Sequence, residues 1–599
     1  MRYVLILIII IQIKLISQTD SPKREFRGIW LATVENIDWP SKKYLSSEEQ
    51  KTEFINIINR LKKDKINAVF MQIRPSSDAF YESEIEPWSE WLTGKQGKIP
   101  DPYYDPLKFI IEECHKRGIE IHAWFNPFRS VVNINTSDIS RKHISKTHPG
   151  WNIEYGKYKW LNPGLPEVRN YVTDIVMDVV RRYNIDGVHF DDYFYPYPIN
   201  NKRFRDERTF AKYSRGIKNP DVWRRDNINI FVKQVSDSIH KVKPGCLFGI
   251  SPFGIWKNNS SDNSGSVTKG SESYYKTYSD SKKWIMEDWV DYLVPQLYWN
   301  IGNSFADYKT LAEWWNNNSS GRNIYIGQAI YKIANDYNSD WMKKDQLPMQ
   351  IKLNRSLKNI SGNVFFNTHT FLKNPLGFED SVESNYYKSY ALTPVIKGNE
   401  DKVPLPPING TYSITDGSIL IKWEKPIYTS SSDTSVYYAI YKFPDIENVD
   451  ISKSERIADI VYASETCWRD TMSEYNKSGI KYVITSLDNY KNESKDICRI
   501  IIPPGAEKST QIIYSNPDSL EVIRQNGFAK IIVKLDKLSL VTLKVYDFYG
   551  NEIQQILYEY RSAGRYEYEF DEKNIKSRGY IIQMKTKGYC SSEKVYLSF

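Results

Sequence analysis

Cysteine is scarce in this chain. The five (Cys114, Cys246, Cys467, Cys498, Cys590) are scattered along 599 residues, odd in number and without a CxxC spacing. That excludes a disulfide framework and offers no structural zinc site. Histidine is scarce too, with seven in all. His122, His189 and His369 fall on separate expected strands, so a hydrolytic metal centre built from them is the weaker chemistry, and no cofactor is expected. There is no HExxH, no GxSxG, no P-loop and no GxGxxG after a first strand. Net charge is +8, but acids and bases are mixed with no basic arm or stripe. Nucleic acid is therefore not an expected partner. Long apolar runs are missing except at the start, where Val4–Ile13 is too short to span a bilayer. With Arg2 before it, this stretch reads as a signal peptide over residues 1–18, cut near Ser17–Thr19. An uncleaved anchor is the alternative, disfavoured by Gln12 and Lys14. Export to the outer-membrane surface or the extracellular space is the expectation, with the periplasm as transit.

What is abundant is aromatic: 44 Tyr and 17 Trp, within a chain that is 41% hydrophobic. Such a chain can bury several cores and stack on rings. From residue 23 to 395 the pattern alternates strand and helix. "FRGIWLATV" reads as a strand. Ser46 and Glu49 then form a capping box before Phe54, Ile57, Ile58 and Leu61, one helical face. "NAVFMQIRP" follows, then Asp105-Pro106 as cap and first helical residue, with Leu107, Ile110, Ile111 and Cys114 as the next face. "IEIHAWFNPF", a helix marked by Val168, Val172, Ile175 and Val179, and "DGVHF" continue the scheme. A face of Ile228, Phe231, Val232, Val235 and Ile239 precedes "CLFGIS"; "DYLVPQLYW", "NIYIGQAI" and "NVFFNTH" complete eight units. Near-continuous apolar strands in eight repeats predict a closed parallel TIM barrel, ahead of an open doubly wound sheet. The fold class expected is therefore α/β, a TIM barrel followed by two C-terminal all-β sandwich domains.

Past a proline-rich linker, 396–408, the period changes to two. Residues 409–502 resemble a fibronectin type III module, with Trp423 as its early core tryptophan and Tyr482 on a late strand; some other β-sandwich is the alternative. Residues 511–599 resemble the C-terminal sorting domain of the type IX secretion system. The order Tyr546-Asp547, Gly550, Ala563-Gly564-Arg565-Tyr566, Gly579-Tyr580, Lys594-Val595 carries the likeness, and Arg578 departs from it. The resemblance implies the type IX machinery as a partner; an accessory carbohydrate-binding sandwich is the plain alternative.

The chemistry concentrates in "DGVHFDDYFYPYP", Asp186 to Pro198. In a barrel strand side chains alternate. If Val188 and Phe190 face the helices, His189 and Asp191 face inward, with Asp192 on the loop beyond. Other strand ends carry Asp38, Trp39, Arg74, Asp78, Asn126, Tyr193, Trp256, Gln296, Tyr298 and Trp299. Each alone is more often structural; together on one face they suit a sugar, whose hydroxyls need paired donors and acceptors and whose ring stacks on aromatics. Cleaving a glycosidic bond needs two carboxyl groups. Asp191 is the candidate nucleophile or base, and Asp192 or Asp78 the candidate acid, in a cleft open to a polysaccharide. A lectin without turnover is the alternative, but it has less need of adjacent acids.

"REFRGIWLATVENIDWPS", "MQIRPSSDAFY", "EPWSEWLTG", "DPLKFIIEECHKRGIEIHAWFNPFR", "DGVHFDDYFYP", "GISPFGIW" and "PQLYW" match, in order, the glycoside-hydrolase-like ten family, which the chain resembles from about Lys23 to Leu372. The resemblance implies a TIM-barrel glycosidase of the envelope or exterior. It implies peptidoglycan glycan strands, preferably without stem peptides, as substrate. "DGVHFD" is also similar to the α-amylase-type DGxRxD motif, which would place a nucleophile at Asp191; His189 replaces that motif's Arg, and no Glu stands at the fifth strand end.

Overall fold

The computed structural model describes residues 21–398 and, beyond them, 403–415, 418–426, 434–471, 479–504, 506, 518–525, 527–535, 539–561, 564–575, 579–586 and 589–597. The expected signal peptide, part of the linker, Ala563 and Arg578 lie outside the described residues. Ser46 opens the first long helix, Ser47–Lys63, as the spacing predicts: its side chain accepts from the Glu49 amide and Glu49 reaches back to the Ser46 N–H at 2.8 Å. Phe54, Ile58 and Leu61 are fully buried. Asp105 caps helix Pro106–His115 through the Lys108 amide, and Leu107, Ile110, Ile111 and Cys114 are buried. Helices Pro166–Arg182 and Pro220–Val242 likewise bury their apolar stripes.

These helices surround a closed barrel of eight strands: β1 Phe26–Leu31, β2 Ala68–Arg74, β3 Glu120–Phe125, β4 Gly187–Phe190, β5 Leu247–Ile250, β6 Tyr292–Leu293, β7 Asn323–Ala329 and β8 Ile360–Phe366. Each strand pairs in parallel with its neighbours, and β8 closes on β1. One set of side chains faces the helices; Val188 and Phe190 belong to it. The other set fills the barrel with rings: Phe26 stacks on Tyr325 at 3.9 Å, and His189 packs against Phe70 at 4.2 Å. His189 therefore faces inward, as the alternation requires.

Strand β6 is shorter than its apolar run. "DYLVPQLYW" forms only Tyr292–Leu293, because Pro295 has no N–H for the ladder; Gln296 rejoins the barrel through single bridges to Phe253 and Gly327. The loop after β3 carries order that periodicity does not reveal, a three-stranded antiparallel sheet of Arg129–Val131, Asn152–Tyr155 and Tyr158–Leu161.

Two all-β units follow. The first packs a three-stranded sheet and a four-stranded sheet around Trp423, Tyr438, Ile440 and Tyr482. The second again has three-stranded and four-stranded sheets, around Ile531, Val541, Leu543 and Tyr580. Asp547 there accepts from the amides of Tyr549 and Asn551, a turn that uses Gly550 at φ 88°.

The first sandwich docks on the barrel's N-terminal end. Lys491, 3% exposed, reaches Glu120 at 2.8 Å and lies 4.0 Å from Asp186, acids at the starts of β3 and β4. Tyr437 also donates to Asp186 at 3.1 Å, and His115 is 2.8 Å from its other oxygen. The turn at Gly118 (φ 66°) passes so close that a side chain there would strike the Ile460 carbonyl. No described helix is long and apolar enough to cross a membrane.

Candidate active site

Asp191 and Asp192 directly follow β4 at the C-terminal mouth of the barrel. Asp191 Oδ2 accepts from Trp124 Nε1 at 3.3 Å, from the end of β3, and from the Asn126 amide. The orientation of that amide is fixed by donors on its oxygen: Gln72 Nε2 at 2.6 Å and Arg129 at 2.9 Å. Gln72 is itself fixed by the Thr33 and Val34 N–H groups at 2.8 and 2.9 Å. A relay from β1 through β2 and β3 thus aims one N–H at Asp191. Asp191 Oδ1 is buried and has no hydrogen-bond partner. On the other side, Asp192 Oδ1 accepts from Gln296 at 3.1 Å, and its Oδ2 from the Tyr197 hydroxyl.

Burial, then the charge of Asp192, pushes the Asp191 carboxyl up to about 8, against the pull of Arg129. Asp192 is also raised, chiefly by burial, with the Tyr197 and Gln296 hydrogen bonds opposing. Burial thus favours the neutral form of both carboxyls. Below them His189 bridges Ser251 Oγ at 3.0 Å and the Tyr292 hydroxyl at 3.3 Å, and burial holds its imidazole neutral.

Rings that range from buried Trp160 to exposed Tyr197 lie beside the pair. Trp160, Tyr193, Tyr197, Phe253 and Trp299 follow one another at 5.4–6.3 Å. Tyr298 lies beside Phe366 and Tyr331 on the facing wall. Trp160, Phe253, Tyr331 and Phe366 were not among the sequence candidates. They sit on loops or strand ends with no period to mark them, and the one available signal is the density of aromatics after β4 and β5.

The mouth brings together Asp191, Asp192, Asn126, Tyr193, Gln296, Tyr298 and Trp299, with His189 beneath. Five other expected site residues are turned elsewhere. Asp78 is fully buried and tied to Ser76 and Gln96, in a loop network that shares no side chain with the acid pair. Arg74 spends every donor on Glu86, Ser77 and the Asn126 and Pro127 carbonyls. Trp39 is core, donating to the Gln50 carbonyl, and Asp38 accepts from the Ala32 and His369 amides. Polar groups at loop starts are often consumed by the loop's own orphan N–H groups. Trp256 donates to Asp280 and stacks on Trp314 at 6.0 Å, at the side of the loop after β5. The acids are less accessible than a cleft open to a polysaccharide implies: Asp191 and Asp192 are each 4% exposed, and Tyr197, itself 40% exposed, donates to Asp192. His122 belongs to the barrel floor, bonded to Tyr292 and Glu120, and His369 lies in helix Thr368–Leu372. Among the described residues no cluster of three or more His, Cys, Asp or Glu could hold a metal.

The raised Asp191 carboxyl has a consequence for stability. Its folded value of about 8 lies above the ordinary carboxyl value of about 4. The folded state holds this proton the more tightly, so its stabilising contribution is complete below about pH 4 and is lost as pH rises through about 8. Asp191→Asn is therefore expected to raise the melting temperature at pH 8 and to change it little at pH 4. Equal shifts at both pH values would contradict the assignment.

A closed eight-stranded α/β barrel whose mouth sets an acid pair among aromatic rings is a barrel of the glycosidase type. A family model described as "Glycosyl hydrolase-like 10" matches residues 25–343, and the chain belongs to that family. It is 41% identical over 478 residues to "Glycosyl hydrolase YngK" of Bacillus subtilis (strain 168), covering 79% of this chain and 92% of that one. It is 38% identical over 373 residues to "Glycosyl hydrolase DigH" of Escherichia coli (strain K12), covering 58% of this chain and 84% of that one. Among solved structures, the PgaB (BpsB) glycoside hydrolase domain from Bordetella bronchiseptica aligns with 61% of this chain and all of its own, at 12% identity and a TM-score of 0.41, too loose to bear on the site.

Proposed function

We propose that the protein is a secreted glycoside hydrolase acting on a cell-envelope polysaccharide, with peptidoglycan glycan strands first among substrates. The observation that carries this reading is the Asp191–Asp192 pair at the mouth of β4, both carboxyls raised by burial, beside the rings of Tyr193, Tyr197, Phe253 and Trp299. Asp192 is the proton donor to the leaving oxygen and Asp191 the partner carboxylate. Tyr193, Gln296, Tyr298 and Trp299 line the sugar's path, Asn126 holds Asp191, and Tyr197 gives way as the glycan enters. Relatives printed as glycosyl hydrolases support the reading. Incubation with amidase-treated sacculi, followed by mass spectrometry, is expected to show shortened glycan; unchanged material, and no turnover on a broad glycan panel, would overturn it.

A second reading, a glycan-gripping barrel without turnover, draws on the cover over Asp192. It requires that Asp191→Asn and Asp192→Asn bind glycan as wild type does and that wild type releases no product.

For the remaining chain we propose an amino-terminal export signal, a fibronectin type III-like spacer over 409–502, and a type IX sorting domain over 511–599 that places the enzyme at the outer-membrane surface or outside the cell. The motif order from Tyr546 to Val595 supports the last. Secreted protein that ends before about residue 511 is expected; an intact tail on secreted protein would contradict removal of the sorting domain.

A further inference from the structure

A glycosidase that uses its own nucleophile sets one carboxyl on each side of the bond to be cut. Asp191 and Asp192 are consecutive, so their Cα atoms are only about 3.8 Å apart and both acids rise from one strand end. Asp191 is held from the β3 side by Trp124 and Asn126, and Asp192 by Gln296 and Tyr197. Among the described residues, no third carboxylate bonds to any of these side chains. One atom lacks a well-placed partner: Asp191 Oδ1 is buried and makes no hydrogen bond of good geometry, although the Tyr193 hydroxyl lies close enough to favour the charged carboxylate. A buried acceptor left this way beside a second carboxyl calls for an explanation, and a donor on the bound ligand supplies one.

We infer that the glycan supplies its own nucleophile, a 2-acetamido group, and that Asp191 orients it by accepting its N–H at Oδ1 while Asp192 protonates the leaving oxygen. This rests on the glycosidase reading above. The acetamido carbonyl oxygen forms a bond to the anomeric carbon as the bond from that carbon to the leaving oxygen breaks. Asp192 delivers its proton to that oxygen, and the positive charge left on the fused oxazoline nitrogen is balanced by the Asp191 carboxylate. Water then adds to the anomeric carbon, gives its proton to Asp192, and the ring reopens to the acetamide. The configuration at the anomeric carbon is retained. An N–H arriving at Oδ1 favours ionised Asp191, and the raised Asp192 carboxyl holds the proton to be delivered.

The fused thiazoline of N-acetylglucosamine copies the oxazoline intermediate and is the probe, titrated calorimetrically into the full chain. It is expected to bind wild type, and Asp191→Asn is expected to weaken it roughly 10- to 100-fold, the loss of a charge-assisted hydrogen bond. The Asp191→Asn melting curve checks that this variant is folded. No binding to wild type, equal binding to both proteins, or a covalent 2-fluoro-sugar adduct on either aspartate would overturn the inference. Cleavage of sacculi without thiazoline binding sinks this inference alone; absence of cleavage sinks the reading beneath it.

Discussion

Asp192→Asn is expected to lower kcat/KM on a glycan without stem peptides by about 10²–10⁴-fold, the span that a positioned general acid contributes. The amide keeps the volume and still pairs with Gln296 and Tyr197, so the barrel folds and glycan binding persists. What it lacks is a transferable proton. In wild type that proton belongs to a pair whose Asp191 member titrates at about 8. Activity is expected to persist to pH values above the ordinary carboxyl range, because burial raises the acid Asp192 as well. The alkaline limb is the more informative arm of the profile, since an ordinary carboxyl would place its limb near pH 4. A variant as active as wild type would remove Asp192 from the chemistry.

Lys491→Met is expected to have the largest effect on stability, a loss of about 3–5 kcal/mol, as for any buried ion network that loses one partner. Lys491 is the ammonium from the sandwich that meets Glu120 and Asp186 at the barrel floor. Burial alone would raise both acids. Lys491, then His122, holds Glu120 below the usual carboxyl range, and His115, then Lys491, does so for Asp186. Without the ammonium, the two buried carboxylates keep only the imidazoles of His122 and His115 and neutral donors as partners. The comparison is Lys63→Ala, which breaks a pair with Glu383 whose lysine is 70% exposed and is expected to change stability far less. Thermal or urea denaturation of the full chain reads both. Equal small shifts would mean that the sandwich does not brace the barrel.

Much of the barrel was legible because its signals are local. The Ser46–Glu49 box, the Asp105-Pro106 start and the stripe from Val168 to Val179 each answer to a short-range rule, and the alternation in "DGVHF" places His189 inward. Strand β6 was not legible to its full length, because its ladder depends on whether Pro295 faces a neighbour that needs an N–H. The site was legible as a set of types and only partly as positions. Asp191, Asp192, Asn126 and Gln296 converge because strand ends converge. Asp38, Trp39, Arg74 and Asp78 also stand at strand ends, yet their partners are amides and carbonyls of loops whose paths no period describes. The bond from Tyr197 to Asp192 has the same origin: five residues of loop fold back, and no sequence rule gives that distance. The docking of Lys491 on Glu120 and Asp186 joins positions more than 300 apart in number, with no pattern to link them.

The central claim is that this acid pair hydrolyses a glycosidic bond. The most direct measurement digests amidase-treated sacculi in heavy-oxygen water with wild type and with Asp192→Asn and analyses the fragments by mass spectrometry. The account predicts new reducing ends carrying one solvent oxygen with wild type and almost none with the variant. Fragments of equal amount from both proteins, or new ends without the label, would contradict it.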